Sequence, residues 1–139
     1  MARSLKLSPT VRSIFAVLDG LLLFLALEGV FYAVAFLGLH RSFDTPTVPY
    51  LTANLLWAVL AALAGGYTAG RVAHRAPVVH GLILAVPFAL LGLFNLYKGL
   101  GSRRTPFVLG YNTLVPLAVI LGAYLFSRTR LRRAAANQR

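Results

Sequence analysis

At 139 residues the chain has room for one domain, and with 58% apolar and only 12% charged residues it lies outside the range of ordinary soluble chains. A net charge of +11 would suggest nucleic acid for a soluble protein, but here the basic residues stand at the ends of long apolar runs. There they set orientation and attract anionic lipid headgroups, so no nucleic-acid partner is expected. The absence of cysteine excludes disulfides, iron–sulfur clusters and thiolate catalysis.

The N-terminal segment carries Arg3, Lys6 and Arg12, and Ser8-Pro9 is a good helix start, since serine caps the first turn and proline is preorganised for it. The apolar stretch 14–39 is too long for the hydrophobic part of a signal peptide and lacks a small-x-small cleavage site. It reads as an uncleaved first span. This span holds Asp19 and Glu28, two of only three acidic residues in the chain. At about 100° per residue they fall on opposite sides of the helix and need separate partners. Tyr32, four residues beyond Glu28, shares the glutamate's face.

A polar turn with His40, Arg41, Asp44, Pro46 and Pro49 leads into a second span, 50–72. Its Asn54, Ala58, Ala61, Gly65 and Ala69 fall on one face, a seam of small residues that lets helix backbones approach closely. Gly65-Gly66-x-x-x-Gly70 lacks the lysine of a phosphate loop and lies inside a helix, so it is not read as one. After a basic turn with His74 and Arg75, Pro77 opens a third span, 78–98, where Gly81, Ala85, Gly92 and Asn95 repeat the pattern and Pro87 frees the Ile83 carbonyl. Arg103 and Arg104 precede Thr105-Pro106, the cap of a fourth span, 106–127. The tail 128–139 contains Arg128, Arg130, Arg132 and Arg133, read as a topology anchor and an anionic-lipid patch.

Lys and Arg are more numerous at the two termini and the second turn than at the first and third turns. Both termini are therefore expected in the cytoplasm of a bacterium, with the chain spanning the inner membrane four times. The fold expected is an all-α, integral membrane four-helix bundle forming a single domain.

Counting about 1.5 Å per residue from the cytoplasmic boundary places Glu28, Asn54, Asn95 and Asn112 about 22 to 27 Å up, one from each span. A carboxyl at that depth is a functional candidate by default. Glu28, with Tyr32 beside it, is either a proton- or cation-exchanging group or one member of a set of interhelical hydrogen bonds. Nearer the cytoplasmic face, Asp19 and Arg71 are the natural ion pair tying span one to span two. The three histidines do not converge, and no serine, histidine and carboxylate set does, so neither a metal or haem site nor hydrolase chemistry is expected.

The helix end Gly65-Gly66-Tyr67-Thr68-Ala69-Gly70-Arg71, followed by a short basic turn and His80-Gly81, resembles a pattern in small, uncharacterised four-span bacterial membrane proteins. That resemblance implies four spans and no assigned activity. A glutamate inside the first span, at Leu27-Glu28-Gly29, is also similar to small multidrug resistance transporters. From the residues, the expected function is a non-enzymatic, cofactor-free accessory or scaffolding subunit that packs through its small-residue seams as a homo-oligomer or in a larger membrane complex. The alternative is a small proton-coupled transporter using Glu28.

Overall fold

The computed structural model describes residues 8–38, 47–73, 75–99 and 105–137. Four helices follow one another: α1 (Pro9–Ala33), extended by a π-helical turn (Val34–Gly38), α2 (Val48–Ala73), α3 (Pro77–Gly99) and α4 (Thr105–Ala136). Each is long and apolar enough to cross a membrane, with spans of 29, 26, 22 and 32 residues against the roughly 20 that a bilayer core needs. The chain is a multi-pass, all-α membrane protein.

Helix boundaries follow local chemistry. Ser8 caps α1, its Oγ accepting a hydrogen bond from the Val11 N–H at 3.3 Å, and Pro9 occupies the first turn. Helix α4 does not stop at 127 but continues to Ala136. Residues 128–136 contain good helix formers and neither proline nor glycine, so nothing ends the helix at the expected boundary. The basic tail is thus a helical extension carrying Arg128, Arg130, Arg132 and Arg133 on exposed positions. Arg3, Lys6, His40, Arg41, Asp44, His74, Arg103 and Arg104 lie outside the described residues.

The outer surface is what lipid requires. Leu22, Leu60, Leu90 and Leu117, one from each helix, are each 61% exposed, part of an apolar coat that suits lipid rather than water. The interior is built from small residues instead: Ala16, Ala58, Ala61, Ala62, Ala69 and Ala123 are buried, with Leu84, Val115 and Val119 as the largest fully buried side chains. In hydrocarbon there is no hydrophobic drive between helices, so close backbone packing must hold the bundle together.

Helix α2 is gripped on two faces. On one, Gly65 meets Gly20 of α1 so closely that a Cβ on either glycine would lie 2.7 Å from the other's carbonyl oxygen. On the other, Gly66 lies against the backbone of Val119 and Gly122 lies against that of Leu63, joining α2 to α4. The seam residues of α3 serve α4: Gly81 faces Ala123 and Gly92 faces Asn112. Spans two and three therefore use their small residues mainly on α1 and α4 rather than on each other.

One end of the bundle gathers the start of α1, the end of α2, the start of α3 and the last membrane turns of α4. Arg12 Nε donates to the Val72 carbonyl at 3.0 Å, and Gly70 packs against Pro77 and Ala123. We call this the basic end, since Arg12, Arg71, Arg75 and the α4 arginines are exposed there. The tight turn from α2 to α3 places Ala76 in the left-handed region at φ 46°. That conformation costs an L-residue about 1–2 kcal/mol. Ala76→Gly is expected to raise stability by up to about 1 kcal/mol, measured as a higher melting temperature in detergent.

Candidate functional site

The opposite end is looser. Phe24 of α1 and Phe88 of α3 meet edge to face with ring centroids 4.5 Å apart, and both are buried. Above this aromatic floor the four helices enclose a cavity of about 600 Å³. It reaches the surface between α1 and α3, where Leu25 and Leu91 are exposed, and at the end of α3, where Asn95 and Lys98 are exposed.

All five residues of the expected polar layer line this cavity: Glu28 and Tyr32 from α1, Asn54 from α2, Asn95 from α3 and Asn112 from α4. Their depths are ordered. Counting about 1.5 Å per residue outward from the Phe24–Phe88 pair, Glu28 and Gly92 lie about 6 Å above the floor, Asn95 about 10 Å and Lys98 about 15 Å. Asn112 sits at the Glu28 level, since its Nδ2 donates to the Gly92 carbonyl at 2.6 Å. This asparagine is a structural bond between α3 and α4 as well as part of the wall.

Glu28 is only 6% exposed. Its Oε1 has no hydrogen-bond partner, and neither do the buried Asn54 Nδ2 and Tyr50 Oη. Tyr32, Asn54 and Tyr111 line the same cavity as Glu28. Buried polar atoms without partners are rare in folded proteins and call for a water, an ion or a ligand. Two of the three residues, Glu28 and Asn54, line the same cavity.

The turn of α1 that carries Glu28 is fixed from outside the cavity. Trp57 of α2 donates its Nε1–H to the Leu27 carbonyl at 2.8 Å, and Phe31 packs between Trp57 and Tyr50 with centroids 6.2 and 5.8 Å away. Immediately beyond, α1 passes into the π-helical turn Val34–Gly38, a form that recurs at functional positions in helices. Trp57→Phe keeps an aromatic ring, though a smaller one, and loses the donor. It is expected to cost about 1 kcal/mol, measured by thermal unfolding in detergent.

The shallower group expected near the basic end is not assembled in the same way. Asp19 and Arg71 are both exposed, and the polar tie that the structure shows between α1 and α2 at that end is Arg12 to the Val72 carbonyl. Asp19 does lie on the opposite side of α1 from Glu28, one exposed and one buried, as the helical spacing requires. His80 is buried, with its Nδ1 3.1 Å from the Ala76 carbonyl. Among the described residues no three metal-binding side chains come together.

Lys98 and Tyr111 complete the cavity wall and are absent from the expected polar layer. The Lys98 ammonium lies 4.6 Å from the centre of the exposed Phe94 ring one turn earlier on α3. Its position three residues after Asn95, on a helix whose Gly92 and Asn95 were already assigned inward, was the available signal.

The fold and the cavity together define a four-span membrane protein in which polar side chains from all four helices line one cavity. No protein-family model, no curated protein and no solved structure matches the chain.

Proposed function

We propose that this protein is a non-enzymatic carrier that takes a small solute into the inter-helical cavity and exchanges it against a proton at Glu28. The observation that carries this reading is the buried Glu28 carboxyl, with an unpaired oxygen, beside a cavity of about 600 Å³. A scaffold has no use for such a cavity, and an intramembrane ionisable group is expensive to keep. The small-residue seams that favoured an accessory subunit are already occupied: Gly65, Gly66, Gly81 and Gly92 meet neighbours within the same chain.

In this reading the chain sits in a bacterial inner membrane with both termini cytoplasmic, as the arginine distribution favours. The basic end then faces the cytoplasm, where Arg128, Arg130, Arg132 and Arg133 bind anionic headgroups, and the cavity opens toward the outside. Tight glycine packing closes the inner half, so the described arrangement is an outward-facing one.

The test is transport in liposomes loaded with a pH-sensitive dye. Purified protein is reconstituted, and panels of small amines, carboxylates and amino carboxylates are added outside. A carrier moves protons only when a member of the panel is present. Proton movement that ignores every solute, or none with any solute despite binding, overturns the carrier reading.

A further inference from the structure

Resting on the reading of this cavity as a solute site, we propose that its ligand is a zwitterion, with an ammonium group directed to Glu28 and an acidic group directed to Lys98. Among the described residues that line the cavity, Glu28 is the only carboxylate and Lys98 the only ammonium. The remainder are apolar side chains, three asparagines, two tyrosines, a proline and a glycine. The Cα atoms of the two residues lie about six residues apart in helical level, so about 9 Å along the axis, and the Lys98 ammonium lies over the Phe94 ring. Glu28 is buried with Oε1 unpaired, and no cationic side chain shares its level in the cavity wall.

A simple cation would satisfy Glu28 but would enter past the Lys98 ammonium, whose charge opposes it at the mouth. A simple anion would be drawn to Lys98 and then meet a carboxyl at depth. A molecule with both charges is attracted at each end, and it can lie in only one direction. Val108 and Phe107, four and five residues outward from Asn112 on α4, border the space between, beside Asn95 and Tyr32, and give the linking part of the ligand apolar contact. Two charged side chains set at different levels of the cavity favour a ligand whose charges stand several carbons apart, as in an ω-amino acid, over glycine, whose charges are separated by a single carbon. The ammonium of the ligand also offers donors to Asn54 and the tyrosines that line the cavity.

Binding is measured on the purified full chain in lipid-free micelles, using fluorescence of Trp57. This is the only tryptophan in the chain, and it is bonded to the carbonyl next to Glu28. The probes are ω-aminohexanoate, hexylamine and hexanoate. The expected result is affinity for ω-aminohexanoate at least about ten-fold above that for either singly charged analogue, the scale of one charge-assisted contact. Lys98→Gln should erase the advantage over hexylamine and leave hexylamine binding in place, which also shows that the variant is folded. Glu28→Gln should erase the advantage over hexanoate.

Equal affinity for hexylamine and ω-aminohexanoate in the unaltered protein, or no effect of Lys98→Gln, overturns the proposal. Repeating the titration in discs containing phosphatidylethanolamine separates two sources of the same chemistry. Competition that depends on both Glu28 and Lys98 assigns the zwitterion to a lipid headgroup, and its absence assigns it to a soluble solute. Binding without solute-driven proton movement would overturn the carrier function and leave the ligand class standing. Proton movement driven equally by hexylamine would do the reverse.

Discussion

Gly66→Ala, a change of one methyl group, is expected to destabilise the bundle by about 3 kcal/mol, at the upper end of what overpacking costs. The new Cβ would overlap the Val119 carbonyl oxygen and lie 2.7 Å from its carbon and 2.9 Å from its Cα. These are backbone atoms in the middle of α4, which cannot rotate away as a side-chain end does. The helices must separate, and separation disturbs the neighbouring contact of Gly122 with Leu63 and the packing of Gly70 on Ala123. Lipid supplies no compensating hydrophobic attraction. Gly29→Ala is the matching control, because nothing lies within 4 Å of its added carbon. That variant should be neutral or stabilised by up to about 1 kcal/mol, since alanine is the better helix former. Thermal unfolding of both variants in detergent makes the comparison. Equal melting temperatures would mean that α2 and α4 do not meet at Gly66.

Glu28→Gln is expected to leave the fold intact and to remove solute-driven proton movement by about a hundred-fold or more, the scale on which a positioned acid–base group acts. The amide has the carboxyl's shape, and no hydrogen bond to Oε1 is lost. Polar contacts between membrane helices contribute only about 0.6 kcal/mol on average, so the melting temperature should hardly move. What the amide cannot do is bind and release a proton. Flux and stability in the same preparation distinguish the two roles open to this residue. Loss of stability with flux preserved would make Glu28 an interhelical bond, whereas loss of flux with stability preserved makes it the coupling group. Glu28→Asp, a shorter carboxylate, should recover part of the flux because its chemistry is kept and only its reach is reduced.

The polar layer illustrates how far periodicity and helical rise carry. Counting residues puts Glu28, Asn54, Asn95 and Asn112 at similar heights and i+4 spacing puts Tyr32 on the face of Glu28; all five line one cavity. Counting along a helix works when every span runs nearly across the same slab, because the membrane imposes a common axis and origin. The same counting suggested Asp19 with Arg71, yet both side chains are exposed and Arg12 provides the tie to α2. Near a helix end a long arginine chooses among several acceptors, and height alone does not select one.

Sequence by itself determined that this is a four-span, all-α membrane protein, where each helix starts and which faces carry small residues. Those properties follow from hydrophobic length, capping residues and the 3.6-residue repeat, all of which act locally along the chain. Only the tertiary structure decided that α2 lies between α1 and α4, that Gly66 and Gly122 form its closest seam, and that Lys98 and Tyr111 join the cavity. A glycine on a helix face can meet any neighbour of the right shape, so its partner depends on how four surfaces interlock at once. The cavity has the same origin: tight glycine contacts hold the basic end closed, while Phe24, Phe88 and the larger side chains above them keep the other end apart.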